Sequence, residues 1–190
     1  MIYVALGSLG FLVIQSLDVV ALKRVPVAKP IVWTLGTGLL VYSLIMVCLR
    51  SDKILLPFWS TCLGWALLSI SALLLIYSLF INLPFRKTYI ATGVGGKLIQ
   101  TRLYALVRHP WIHCFIVLML SLLLVSGSKL MLIASPIWIL LIILLVVIQD
   151  KYFLGRMFHG YDSYRRETPM LLPNRNSISA FIRTINQTKA

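Results

Sequence analysis

Acidic residues are almost missing from this chain: five of its 190 residues are Asp or Glu. Charged residues of either sign reach only 12%, about half the share that a soluble domain carries. With 59% apolar residues beside it, that scarcity excludes a soluble globular domain. Cysteine is scarce too. Cys48, Cys62 and Cys114 lie in apolar stretches without paired spacing. Neither a disulfide framework nor a zinc site is implied, and the three read as small apolar side chains. No internal repeat and no low-complexity tract is present. Disorder is excluded by what is plentiful: five Trp, eight Tyr and eight Phe among long aliphatic runs. What remains is an all-α integral membrane protein of one compact domain.

The 18 Lys and Arg give a formal charge of +13. In a soluble protein such an excess points to nucleic acid. Here the basic residues fall between and after the apolar runs, so they read as loops and a tail beside anionic lipid. Membrane lipids are the expected partners, and nucleic acid is not. Five runs have the length and composition of membrane helices: 2–22, 31–49, 55–81, 111–126 and 130–148. The third is long enough to tilt. The fourth is short, as suits a helix that starts inside a polar cavity. Gly127, Ser128 and Lys129 alone separate the last two, which predicts a tight antiparallel hairpin. Residues 2–22 read as a retained helix and not a signal peptide. They lack a basic leader and carry Gln15 and Asp18 where a cleavage site wants small residues. Fifteen basic residues fall in 23–29, 84–110 and the tail, against Arg50, Lys53 and Lys129 on the other side. The positive-inside rule then puts the amino terminus outside and the tail in the cytoplasm, with the cell's inner membrane the expected location. Within the single domain, 1–82 holds three helices, 83–173 holds a polar loop, the hairpin and a tail, and 174–190 an interfacial amphipathic helix.

The polar residues concentrate in 84–110 and 150–190, which should meet at the cytoplasmic mouth of the bundle. Gly93-Val94-Gly95-Gly96 is a turn or loop, either a plain connection or a place where backbone approaches a ligand. It is no dinucleotide fingerprint, having neither a preceding strand nor a third glycine at the right offset. In Arg108-His109-Pro110, proline suits the first position of a helix, with His109 as cap residue. The free N–H groups and dipole there favour an anion, and Arg108 adds a forked cation. The same trio also fits an interfacial pair meeting lipid phosphates. Asp150, at the inner end of the fifth helix, should face the bundle or the headgroups. It reads either as part of a site or as a stop-transfer cluster with Lys151. Leu154, Met157, Phe158 and Tyr161 share the spacing of one helix face. Pro169 and Pro173 bracket an extended strap. In 177–189, Ile178, Phe181, Ile182 and Ile185 form an apolar face on a helix capped by Asn176 or Ser177, lying on the cytoplasmic leaflet. Asp18 is the one acid well inside a span. It lies within reach of Lys23 and is read as structural.

Together, the stretch KLIQTRLYALVRHPWIHCF (97–115) and the later Phe158, Tyr161, Tyr164, Pro169 and Pro173 resemble a known pattern. It is that of the isoprenylcysteine carboxyl methyltransferases and related integral-membrane methyltransferases, the phospholipid N-methyltransferases among them. The resemblance covers about residues 95–173. Three positions depart from it. Arg102 stands where the pattern has glycine, Ile112 where it has tyrosine, and Asp150-Lys151 where it has an acidic pair.

The resemblance implies a five-helix membrane fold whose terminal hairpin and cytoplasmic helical tail cap a pocket for S-adenosylmethionine. A lipophilic or small thiol, amine or carboxylate acceptor would reach that pocket from the bilayer. It implies Arg108 and the helix start at Pro110, with His109, for the donor's carboxylate, and Asp150 for its amine or ribose hydroxyls. Lys97 and Leu98 fall to the adenine edge and Tyr104 to the pocket wall. Methyl transfer is an in-line displacement in which the protein positions and dehydrates the partners. An amine or thiol acceptor must also lose a proton. His109 and His113 are the histidines near enough in sequence, and both read first as structural, so no catalytic residue is assigned. The rival readings are a non-catalytic membrane scaffold of the same fold, favoured by the altered acidic pair, and a membrane reductase, for which 190 residues leave little room.

Overall fold

A computed structural model describes residues 1–25, 27–83, 85–94 and 98–187. Regular structure among the described residues is helical, apart from one isolated antiparallel bridge between Lys53 and Ser128. The first helix, α1 (Ile2–Lys23), turns through Arg24 in the left-handed conformation into α2 (Ala28–Leu49). The two pack along their length. Gly10 and Gly36 permit it: a Cβ on Gly10 would lie 3.1 Å from the Gly36 carbonyl oxygen, so backbone meets backbone there. The start of α2 at Ala28, ahead of the expected 31, takes Lys29 out of the loop and into the helix.

Helix α3 (Phe58–Ile76) starts after Pro57 and widens into a π-helical turn, Tyr77–Ile81. A second π turn, Arg86–Ile90, and the short α4 (Leu103–Leu106) lead to α5 (Pro110–Ser126). Gly127 and Ser128 connect α5 to α6 (Lys129–Ile148), which continues through a π turn, Gln149–Phe153, into α7 (Leu154–Met157). The tail adds α8 (Tyr161–Glu167) and α9 (Arg175–Gln187).

Four helical stretches are long and apolar enough to cross a membrane: Ile2–Lys23, Ala28–Leu49, Phe58–Ile81 and Lys129–Met157. This is the architecture of an integral membrane protein. Helix α5 is apolar as well, but its 17 residues span only about 25 Å, short of a hydrocarbon core of about 30 Å. Large side chains such as Leu55, Phe58, Trp59 and Leu140 are exposed on the outside, as lipid-facing residues are. The core inside the bundle holds Val4, Phe11, Met119, Met131, Trp138 and Leu145, with the Trp138 indole N–H donating to Val4 O at 3.2 Å.

At one end, the α2–α3 connection is knitted to the α5–α6 turn. Ile54 N donates to Gly127 O at 2.6 Å and Lys129 N to Asp52 O at 3.0 Å. The Ser128 hydroxyl donates to Val47 O at 2.6 Å while accepting from Met131 N at 3.1 Å, which caps α6.

Two local expectations are corrected in the tail. The apolar face of 154–161 is not one helix. Phe158 turns extended and Gly160 takes φ 79°, a left-handed conformation open to glycine, so α7 and α8 are separate. The cap of α9 is Asn174 and not Asn176 or Ser177. Asn174 Oδ1 accepts from Ser177 N at 2.8 Å, and Ser177 Oγ accepts from Asn174 N at 3.0 Å. Helix α9 packs against α4, where the Thr184 hydroxyl accepts from Arg102 N at 3.3 Å.

Candidate functional site

The polar residues of the loop and tail converge on Asp150, which is 3% exposed. Pro110 occupies the start of α5 and His109 its cap position, but the imidazole does not cap. It turns to Asp150, with Nε2 3.3 Å from Oδ1. Arg108 grips the same carboxylate with two parallel bonds, Nε to Oδ1 at 2.9 Å and Nη2 to Oδ2 at 3.0 Å. Arg108 Nη1 donates to the carbonyls of Arg165 (2.8 Å) and Thr168 (2.7 Å). The Tyr161 hydroxyl also donates to Asp150 Oδ1, and the Arg165 guanidinium lies 3.6 Å from Oδ2. The loop and strap join by backbone as well: Arg108 N donates to Pro169 O and His109 N to Met170 O. Tyr164 completes the arrangement, its hydroxyl donating to Tyr104 O at 2.6 Å.

This geometry fixes the protonation states of the phenols. Burial pushes the Tyr161, Tyr164 and Tyr104 hydroxyls well above the ordinary phenol range, and for Tyr161 the bond to the Asp150 carboxylate adds to the effect. Near neutral pH all three are protonated and act as donors. Asp150, which the resemblance assigned to a cofactor's amine or hydroxyls, is spent on the protein's own groups. Four of the five N–H groups of Arg108 are likewise engaged.

Beside this cluster lies a cavity of about 570 Å³, within the range typical of small-molecule sites, about 300–1,000 Å³. Arg108, His109, Tyr104, Tyr161 and Tyr164 line one end, and Phe11, Leu40, Leu44, Met119 and Trp138 line the apolar depth. Leu98 lines it too. Lys97 lies outside the described residues, as do Gly95 and Gly96 of the glycine loop, and Gly93 takes φ 79°. His113 is exposed on α5 and is not part of the cavity wall. Leu154, Met157 and Phe158 do line it, despite the break after α7.

A second charged group lines the cavity between these two regions. Asp18 does not meet Lys23, which is exposed. Its carboxylate accepts from Gln15 Nε2 at 2.8 Å and from Gln149 Nε2 at 2.9 and 3.1 Å. Lys29, 3% exposed, lines the same wall, its ammonium donating to Thr88 O at 3.2 Å. Sequence reasoning missed Lys29, Gln15 and Gln149. The available signal was the tightness of the α1–α2 connection, which brings the end of one helix beside the start of the next.

Arg102, which bonds to the Thr184 and Tyr77 hydroxyls, has φ 57° and ψ −129°, a conformation taken almost only by glycine. Among the described residues no three His, Cys, Asp or Glu side chains are grouped so as to hold a metal ion. Compared with models of protein families, with curated proteins and with solved structures, the chain matches none.

Proposed function

We propose that this protein is an integral-membrane S-adenosylmethionine-dependent methyltransferase, of the kind its sequence pattern resembles, acting on a lipophilic acceptor. The observation that carries the reading is the two-ended cavity. Its polar end is made where Arg108-His109-Pro110 meets the tail tyrosines, and its depth is apolar. Size and polarity suit a nucleoside donor at one end and a hydrocarbon chain at the other. The conformation of Arg102 adds support, since the resembled pattern has glycine at that position. In this reading five helices cross the bilayer in alternation, α5 and α6 form the terminal hairpin, the amino terminus is outside and the tail caps the pocket from the cytoplasm. The 15-to-3 split of basic residues and the meeting of the α2–α3 and α5–α6 connections at one end support that topology. The inner membrane remains the assigned location.

S-Adenosylmethionine, when bound, supplies an electrophilic methyl group on a sulfonium. The chain's residues position and dehydrate. His109 and the remaining N–H of Arg108 would hold the donor's carboxylate, and Tyr104 and Leu98 would wall the nucleoside; Lys97, outside the described residues, is assigned to the adenine edge by the resemblance alone. Asp150 becomes a positioning residue, orienting Arg108 and His109 without touching the donor. The apolar depth aligns the acceptor and excludes water.

Isothermal titration of the detergent-purified protein with S-adenosylhomocysteine tests the reading. Saturable binding that is lost in His109→Ala is the expected result. No binding to the wild type would overturn it. The scaffold reading would then stand, and the near-complete engagement of Asp150 and Arg108 by the protein itself is the observation that favours it.

A further inference from the structure

Helix α9 takes no part in the cavity, yet its sequence sorts residues into three stripes. Ser177 is buried and Ala180, Phe181 and Thr184 are half-buried, a spacing that puts them on the side packed against α4. Ile178 and Ile182, four apart, form a second stripe a little more than a quarter turn away. They are 44% and 53% exposed. Arg175 lies on that stripe one turn earlier, and Asn176, Ser179 and Arg183 fill the remaining exposed side. Leu172, in the strap just before, is 79% exposed.

The place of α9 in the bundle gives the apolar stripe its meaning. Val107, Arg108 and His109 alone separate α4 from α5, so α4 sits where that apolar helix begins. Arg102, at the head of α4, donates from its backbone N to the Thr184 hydroxyl of α9 and from Nη1 to the Tyr77 hydroxyl, near the end of the apolar stretch Phe58–Ile81. Helix α9 is thereby tethered at the depth where two apolar helices end. The charge around it is of one sign. After Glu167 the chain carries Arg175, Arg183 and Lys189 and no acid. Arg156, Arg165 and Arg166 are exposed just before, against Asp162 and Glu167. An amphipathic helix at that depth binds a bilayer through its apolar face, and basic residues beside it add to binding where the lipid is anionic.

We propose that α9 is a docking surface for an anionic lipid leaflet, with Ile178 and Ile182 in the acyl boundary and Arg175 and Arg183 on lipid phosphates. A second copy of this chain is a poor occupant, because pairing two such helices would bring like charges together. Docking also has a structural consequence. The helix leans on α4, whose Tyr104 lines the cavity, so a leaflet that holds α9 steadies that wall. The inference goes beyond the methyl-transfer reading and does not depend on it.

The test uses the full chain, one copy per nanodisc, in discs of phosphatidylcholine alone or mixed with phosphatidylglycerol. Cys48, Cys62 and Cys114 are replaced by alanine, and a nitroxide is placed through Ile178→Cys, Ser179→Cys or Ile182→Cys. In anionic discs the labels at 178 and 182 should collide with oxygen dissolved in the lipid and be shielded from a water-soluble nickel chelate, while the label at 179 meets the chelate. In neutral discs the chelate should reach 178 and 182 at least about fivefold more often, since each basic residue near an anionic surface strengthens binding by about that factor. Arg175→Gln with Arg183→Gln should give the same rise in anionic discs. Free access of the chelate to 178 and 182 in both discs overturns the proposal, as does equal immersion in both, which would mean apolar anchoring without selection for charge. Shielding of 178 and 182 from oxygen and chelate alike would mean that protein covers the stripe, and the proposal fails. The unsubstituted chain supplies a second measurement. Backbone hydrogen exchange along α9 should be slower in anionic than in neutral discs, and equal rates would overturn the proposal without recourse to any variant.

Discussion

Asp150 and Asp18 are both acids buried beside one cavity, yet their surroundings differ in kind. Asp150 meets two guanidinium groups, an imidazole and a phenol, all drawn from the loop before α5 and from the tail. Asp18 meets two neutral amides, while the nearest cation on its wall stands off. The first arrangement is a fastening. It ties α6, the α5 start and the strap after α8 through a single carboxylate, and little of its hydrogen-bonding capacity remains. The second is three hydrogen bonds from neutral amides inside a largely apolar wall. Burial alone therefore does not distinguish the two acids, whereas the charge of the donors around them does.

The largest effect should come from breaking the fastening. Asp150→Asn leaves Arg108 buried beside a neutral amide, and the loss of stability should be about 3–5 kcal/mol. Thermal unfolding and limited proteolysis after Thr168 would register it, the strap becoming susceptible. Replacing both partners, Arg108→Met with Asp150→Leu, should recover much of that loss. A double variant no better than Asp150→Asn would show that the contact is not a self-contained pair.

Tyr161→Phe removes a charge-assisted bond to Asp150 and should cost about 1.5–3 kcal/mol. It should also alter the alkaline limb of stability. Below the ordinary phenol pKa of about 10, folded and unfolded phenols are both protonated and the contribution is complete. Above it the unfolded chain loses its protons first, because burial holds the native phenols higher. Stability therefore falls as pH rises from about 10 towards the native values. Melting curves across that range should be shallower in pH dependence for Tyr161→Phe than for the wild type.

Arg102→Gly should raise stability by about 1 kcal/mol, by relieving a conformation that costs side chains about 1–3 kcal/mol. It gives up one bond to the Tyr77 hydroxyl at 3.3 Å. Arg102→Ala loses the same bond without the relief, so only the glycine variant should melt higher than the wild type. The smallest effect is expected at Asp18. Asp18→Asn keeps an acceptor for the glutamine amides and removes a desolvated charge, so stability should change by about 1 kcal/mol or less. If Asp18→Asn and Asp150→Asn proved equally damaging, the contrast between the two acids would be lost.

Much of this was legible along the chain. The apolar runs locate the helices to within a few residues because lipid demands long uninterrupted apolar segments. The α5 start followed from proline's fixed φ and missing N–H. Arg108, His109, Tyr104 and Leu98 were singled out, and the structure brings all four to the cavity. The break at Phe158–Gly160 was not legible, because an apolar spacing of three and four reads through a glycine that leaves the helix. Nor was Lys29. A lysine in a short connection looks like any other loop cation until the helix start moves back to include it.

Composition alone determined that this is a membrane protein, since a chain so apolar and so poor in acid has no other solvent to fold in. Charge distribution along the chain groups the α2–α3 connection with the α5–α6 turn, and these two meet in the structure. Only the tertiary structure decided how five acids divide their roles, because that depends on which donors arrive within hydrogen-bonding distance. Three remain exposed. Asp150 is satisfied by groups from positions up to 42 residues away in sequence. Asp18 is reached by Gln149 across 131 residues, while Lys29, only eleven positions on, stays apart. Sequence distance carries no information about such meetings. They are fixed by how the helices pack, and the packing sets both the fastening and the opening beside it.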